Sequence, residues 1–114
     1  MGGWKDRENF IRFLIFRRIK IDLMVNWNRL EIVWDEWNKK HLLKHGVKKK
    51  EVENALKGEI YVKRKGEVYG VIGNSSDRVL FIVLAERGGN KVYPITARDA
   101  DESMKKLYKK KVSI

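Results

Sequence analysis

The chain has two histidines, His41 and His45, and they stand four residues apart in the segment WNKKHLLKHGV, residues 37–47. On a helix that spacing stacks one side chain above the other. Such a pair can share a metal ion, move a proton, or pack as two aromatic rings. Metal binding needs a third protein ligand, and in the zinc motif H-E-x-x-H a glutamate stands between the histidines. Here Leu42, Leu43 and Lys44 intervene, and the chain has no cysteine. The sequence therefore predicts no metal site and no cofactor. Packing suits both rings, because Trp37, His41, Leu42 and His45 fall within an arc of roughly 140° on a helix. That arc is expected to face the core and to leave both histidines half-buried. His45 keeps a second option: it lies in the last helical turn, between Lys44 and Gly46. A helix C-terminus stabilises imidazolium while neighbouring lysines oppose it.

Four features of the whole chain restrict what these residues can serve. The 114 residues suit one domain with one modest core. Lys and Arg number 26 against 15 acids, a formal net charge of +11, which favours an anionic partner such as nucleic acid or an acidic protein. Without cysteine there is neither a disulfide nor a thiol nucleophile, which fits a cytoplasmic protein. No apolar run reaches the roughly 20 residues of a membrane span, so no membrane partner is expected. The nearest run, FIRFLIFRRIKIDLMV at residues 10–25, is broken by Arg12, Arg17, Arg18, Lys20 and Asp22. Residues 1–23 differ in pattern from the rest of the chain and end directly before Met24. They are expected to be an N-terminal extension, either a start read too early or a partner-binding helix, ahead of a domain at 24–114.

The elements that must position the histidines can be read in order. LEIVW, residues 30–34, is a short β-rich run. Asp35 offers an N-cap for a helix over 36–45 that Gly46 ends. A second helix, roughly 48–57, carries Val52, Ala55 and Leu56 at helical spacing and stops at Gly58. Four apolar runs come next, with turn residues between them: EIYVKR, EVYGVIG, RVLFIVLAE and KVYPITA. RVLFIVLAE is apolar at seven successive positions and is expected at the centre of the sheet. Pro94 lacks an N–H, so KVYPITA is expected at an edge or bulged. A last helix, about 99–111, has Asp99 or Asp101 as cap and a face of lysines that includes Lys105, Lys106 and Lys109. The predicted fold is α+β, an antiparallel sheet with two N-terminal helices and a C-terminal helix packed on it. Its order is β-α-α-β-β-β-β-α.

The segments VWDEWNKKHLLKHGV and IGNSSDRVLFIVLAERGGNKVYPITARDADESMKKLY carry five signals in sequence. They are W-D, K-H-G, a glycine turn before R-x-L, an apolar strand ending in E-R, and a second strand ending in T-A-R before a helix with Glu and Tyr. Over roughly residues 31–108 this order resembles the BrnT toxins of bacterial and archaeal toxin–antitoxin modules. The resemblance implies a RelE-like ribonuclease fold, cleavage of RNA that inhibits translation, and a cognate antitoxin. That antitoxin would be a small DNA-binding protein in a hetero-oligomer with the toxin, and operator DNA would be reached only through it. The motif falls on Trp34, Asp35, Lys44, His45, Gly46, Arg78, Glu86, Arg87, Arg98, Glu102 and Tyr108. His41 stands where the family tends to have Asn. The family's glycine–arginine–serine turn reads Gly73-Asn74-Ser75 here, so one expected cation is missing.

RNA cleavage without metal needs a base for the 2′-OH, cations for the phosphorane charge, and an acid for the leaving oxygen. His45 suits base or acid because an unperturbed imidazole titrates near neutral pH. Glu86 or Glu102 is the reserve base. Arg87 and Arg98 are expected to hold phosphate, with Lys44 adding charge and Tyr108 stacking on a base or donating a proton. Arg78, Lys105, Lys106 and Lys109 are expected to bind the RNA backbone. The competing expectations are ion pairs for the arginines, core packing for Tyr108 and a cap for Asp35. At the level of the whole protein the rivals are a non-enzymatic RNA- or ribosome-binding domain and a weakened toxin homologue acting with its antitoxin on operator DNA.

Overall fold

Asp35 starts the first helix and Gly46 stops it. The computed structural model describes residues 26–112, and the first helix, α1, spans Glu36–Lys44. The Asp35 carboxylate accepts from the Asn38 N–H and Asn38 Oδ1 accepts from the Asp35 N–H, both at 2.9 Å. This reciprocal capping box satisfies two donors that the helix leaves open. At the other end Gly46 has φ +75°. The Gly46 N–H donates to Leu43 O and the Val47 N–H to Leu42 O. That pair of bonds closes a Schellman motif, which needs a left-handed residue at Gly46. His45, the residue between helix and glycine, is held by both sides.

The second helix, α2, spans Lys49–Lys57 and buries Val52, Ala55 and Leu56. The strands are β1 (Glu31–Ile32), β2 (Ile60–Lys65), β3 (Val68–Ser75), β4 (Arg78–Gly88) and β5 (Lys91–Asp99). The third helix, α3 (Glu102–Val112), is capped by Asp101, whose Oδ1 accepts from the Met104 N–H at 2.9 Å. A short 3-10 turn at Trp27–Arg29 precedes β1. The element order matches the sequence expectation. The sheet runs β1-β5-β4-β3-β2, with β4 in the centre as its unbroken apolar run predicts.

One expectation changes. β2 to β5 form an antiparallel meander, but β1 pairs parallel with β5, Glu31 opposite Lys91 and Ile32 opposite Val92. The sheet is therefore mixed. Alternation of side chains reports which face a residue takes and is blind to strand direction. Pro94 is fully buried beside a bulge, where the register slips between Val83 and Leu84. A break in the ladder of this kind is where a strand tolerates a residue without an N–H.

The helices α1 and α2 cover one face of the sheet. Leu42, Val47, Val52, Ala55 and Leu56 pack against Val71, Leu80, Ile82, Leu84, Val92 and Ala97. A Cβ added at Gly73 would lie 2.9 Å from the Ala55 carbonyl oxygen, so glycine lets α2 sit close on β3. α3 packs against β2 and β3. Among the described residues no helix is long and apolar enough to cross a membrane. The expectations for residues 1–23 lie outside the described residues.

Candidate functional site

α1 does not present its aromatic arc to the core. Leu42 and Asn38 are fully buried, whereas Trp37 is 56% exposed, His41 is half-buried and His45 is exposed. The reason is Asn38. Its amide donates to Val33 O at 3.0 Å while its Oδ1 serves the capping box. Those two bonds draw a polar residue inward, and the buried seam centres between positions 38 and 42. Trp37 then lies about 120° round the helix from that seam. The three rings form an external ladder. Trp37 and His41 stack at 4.7 Å with planes 8° apart, and His41 meets His45 edge-on at 5.3 Å.

The glycine after His45 ties this ladder to the sheet. The Gly46 carbonyl accepts from Arg78 Nη2, at the start of β4. Arg78 also grips the Glu51 carboxylate with Nε at 3.0 Å and Nη2 at 2.7 Å, and reaches Asp99 Oδ1 at 3.1 Å. The guanidinium thus joins four segments: the α1–α2 link, α2, β4 and β5. This contact lowers the Glu51 carboxyl below the ordinary carboxylate range, first by the Arg78 hydrogen bond and then by the Lys48 N–H. Arg78 is a structural clamp whose guanidinium is engaged by Glu51, Asp99 and the Gly46 carbonyl, a use that the RNA-binding expectation did not include.

Arg98 lies one residue from Asp99 and faces the opposite side of the sheet, its guanidinium 5.2 Å from the Phe81 ring. One N–H reaches the Asp99 carbonyl at 3.3 Å. No carboxylate pairs with it among the described residues, which leaves most of its fork available. Tyr108 reaches the same end of the sheet. Its hydroxyl donates to Glu59 O at 2.9 Å, and burial, reinforced by the Glu59 charge, raises its pKa. A phenol so engaged is a poor proton donor. Lys44, Lys106 and Lys109 are exposed, and Lys105 pairs loosely with Glu102 at 3.5 Å. Asn74, where the resemblance implies arginine, is exposed on β3.

Glu86 and Arg87 stand at the other end. β4 and β5 are antiparallel, so residues that end each strand lie at opposite edges of the sheet. Phe81 is opposite Arg98, and Arg87 is six residues further along β4. At roughly 3.3 Å per residue, about 20 Å separates Arg87 from Arg98. The two cannot hold one phosphate, which corrects that expectation. Arg87 lies 4.3 Å over the Tyr93 ring, and the Tyr93 hydroxyl donates to the Asp35 carboxylate at 2.9 and 3.0 Å. The Asn38 N–H, with help from Tyr93, holds the Asp35 carboxyl below its ordinary range, while burial raises Tyr93. Asp35 is a cap, the role that competed with catalysis for it. Glu86 pairs with Arg64 at 2.9 Å on the helix-covered face, and Arg64 also donates to the Tyr69 hydroxyl. A carboxylate fixed in this way is removed from the role of reserve base.

Sequence reasoning missed Asn38, Glu51, Arg64 and Tyr93. Glu51 had a signal, since its Oε1 accepts from the Lys48 N–H three residues earlier as a capping glutamate does. Trp34, from the W-D motif, donates through Nε1 to Glu53 Oε2 at 3.2 Å and pins the start of α1 to α2. Among the described residues no group of three or more His, Cys, Asp or Glu side chains is placed to hold a metal ion.

This arrangement of helices and sheet has a counterpart among solved structures. The ribonuclease toxin BrnT of Brucella abortus matches at a TM-score of 0.51 and 20% identity, over 65% of this chain and 100% of that one. This chain has the BrnT-type toxin fold. No protein-family model matches the sequence, and no curated protein does. The candidate residues lie at two ends of the sheet: His45, Arg98 and Tyr108 at one end, with Arg98 on the face opposite the helix-covered side that holds His45, and Glu86 and Arg87 at the other.

Proposed function

We propose that the chain is a ribonuclease toxin that cleaves RNA without a metal, inhibits translation and is neutralised by a cognate antitoxin. The observation that carries this reading is His45: an exposed imidazole fixed between a helix end and the Gly46–Arg78 contact, in a BrnT-type fold. RNA cleavage of this class forms a bond between the 2′-oxygen and phosphorus and breaks the bond to the 5′-oxygen. His45 takes the 2′-OH proton, Lys44 stabilises the phosphorane charge, and solvent protonates the leaving oxygen at this open site, while Arg98, on the opposite face of the sheet, meets another part of the RNA. Lys105, Lys106 and Lys109 bind the backbone by charge, and Arg87, about 20 Å from Arg98, contacts a separate phosphate. The antitoxin is a small DNA-binding protein in a hetero-oligomer with this chain, and both act in the cytoplasm.

One observation favours a second reading. Asn74 stands where the resemblance implies arginine, and Arg78 is already engaged, so one cation implied for the site is absent and another is occupied. A domain that binds RNA or the ribosome without cutting, or a weakened toxin acting with its antitoxin on operator DNA, would share this surface. The experiment is cleavage of several RNAs by antitoxin-free protein, with and without ribosomes. Cleavage lost in His45→Ala supports the nuclease; binding with no cleavage supports the second reading.

A further inference from the structure

The exposed ladder on α1 has neighbours that define what it can bind. Taking Trp37 as the reference direction, His41 lies about 40° and His45 about 80° round the helix on one side. Lys44 and Lys40 lie about 20° and 60° on the other. Both lysines are exposed, and neither is in an ion pair among the described residues. The acid of this helix, Glu36, already pairs with Lys39 at 3.2 Å. Leu43, the other exposed apolar side chain of α1, points about 120° away from Trp37, so the ladder is not part of a wide apolar patch. The ladder is a narrow aromatic surface bordered by a row of lysines, so it offers ring faces and cations rather than contiguous apolar area. It suits a strand whose bases stack while its phosphates meet cations.

Resting on the ribonuclease reading, we propose that this face of α1 is a stacking platform for single-stranded RNA, with a base on Trp37 and backbone phosphates on Lys40 and Lys44. The platform sets substrate class. A duplex keeps its bases stacked on each other and cannot lay one on Trp37, so paired RNA is excluded. The ladder ends at His45, so a strand seated on Trp37 and followed along α1 delivers a later nucleotide to that imidazole. Trp37 is then a positioning residue and His45 the catalytic one.

The test uses the full chain and a 2′-O-methyl RNA oligonucleotide, which has no free 2′-OH and is not cut. Trp37→Ala should weaken binding of the single strand by about tenfold or more, as loss of one base–aromatic stack does. Trp37→Phe should recover part of it, and the melting temperature should hold because the ring is mostly exposed. Lys40→Ala should lower the slope of log affinity against log salt by about 0.7, one phosphate contact on a single strand. An abasic oligonucleotide of equal charge should bind native and Trp37→Ala protein alike. An unchanged affinity in Trp37→Ala, or an equal loss with the abasic strand, overturns the platform. So does a Trp37→Ala protein that binds RNA normally but no longer holds its antitoxin, which would make the ladder a protein interface. Native protein that binds through Trp37 yet cleaves no RNA keeps the platform and removes the nuclease; cleavage by a chain indifferent to Trp37 does the reverse.

Discussion

The two ends of the sheet each hold an arginine gripping a glutamate, and the two pairs do different work. At the β4 end, Arg64 and Glu86 have side chains only 11% and 20% exposed, and Arg64 Nε is buried without a hydrogen-bond partner. At the β4 start, Arg78 and Glu51 are 28% and 27% exposed and share Asp99, itself largely in water. The first pair is shut in beneath the helix-covered face. The second is a surface clamp that holds the backbone beside His45. An arginine and a glutamate in a motif therefore say little about role until burial is known, because desolvation decides whether a charge is fixed or available.

The largest predicted difference comes from that burial. Glu86→Ala leaves the Arg64 charge enclosed and unpaired, and should cost about 3–5 kcal/mol in urea unfolding. Glu51→Ala, whose partner can turn to water and Asp99, should cost about 1 kcal/mol or less. Equal costs would erase the distinction between the ends. Glu86→Gln protein that still folds should cleave RNA near the native rate, since this carboxylate does not reach the reaction; a loss of roughly 10²-fold or more with the fold intact would restore it as the base.

An intermediate effect tests the close contact of α2 with the sheet. Gly73→Ala places a methyl group 2.9 Å from a backbone oxygen that cannot swing away. A loss of about 1–3 kcal/mol is expected, from thermal or urea unfolding, as for other overpacked sites. The smallest effect is one of pH. Glu51, Asp35 and Asp101 all have lowered carboxyl pKa values, from the Arg78, Asn38 and Met104 hydrogen bonds respectively. Their folded values lie below the unfolded ones, so the stability they add is complete above the ordinary carboxylate range. It is lost as pH falls through the lowered values. Glu51→Gln should flatten the acid limb of melting temperature against pH and leave the plateau near neutrality almost unchanged. A steeper acid limb would contradict the assignment.

Much of this fold was legible in the chain. Asp35 and Gly46 marked both ends of α1, the seven apolar positions of RVLFIVLAE placed β4 centrally, and Pro94 marked a bulge. What escaped was direction and partner. The parallel pairing of β1 leaves no trace in a two-residue strand. The inward turn of Asn38 rests on bonds to Val33 and Asp35 that hydrophobic periodicity ignores, so the aromatic arc was turned toward the wrong side. The separation of Arg87 from Arg98 was within reach of the sequence, because neighbouring antiparallel strands end at opposite edges. Arg64 was not, since nothing local distinguishes a half-buried arginine on β2 from its exposed lysine neighbour Lys65.

The central claim is that His45 moves the proton while His41 belongs to the ladder beside it. The direct measurement is the rate of RNA cleavage by antitoxin-free His45→Ala and His41→Asn proteins, with circular dichroism confirming each fold and RNA affinity measured in parallel. His45→Ala should be slower by roughly 10²- to 10⁴-fold at nearly native affinity, and His41→Asn should keep most of the rate. Equal losses in the two variants, or a full rate in His45→Ala, would contradict it.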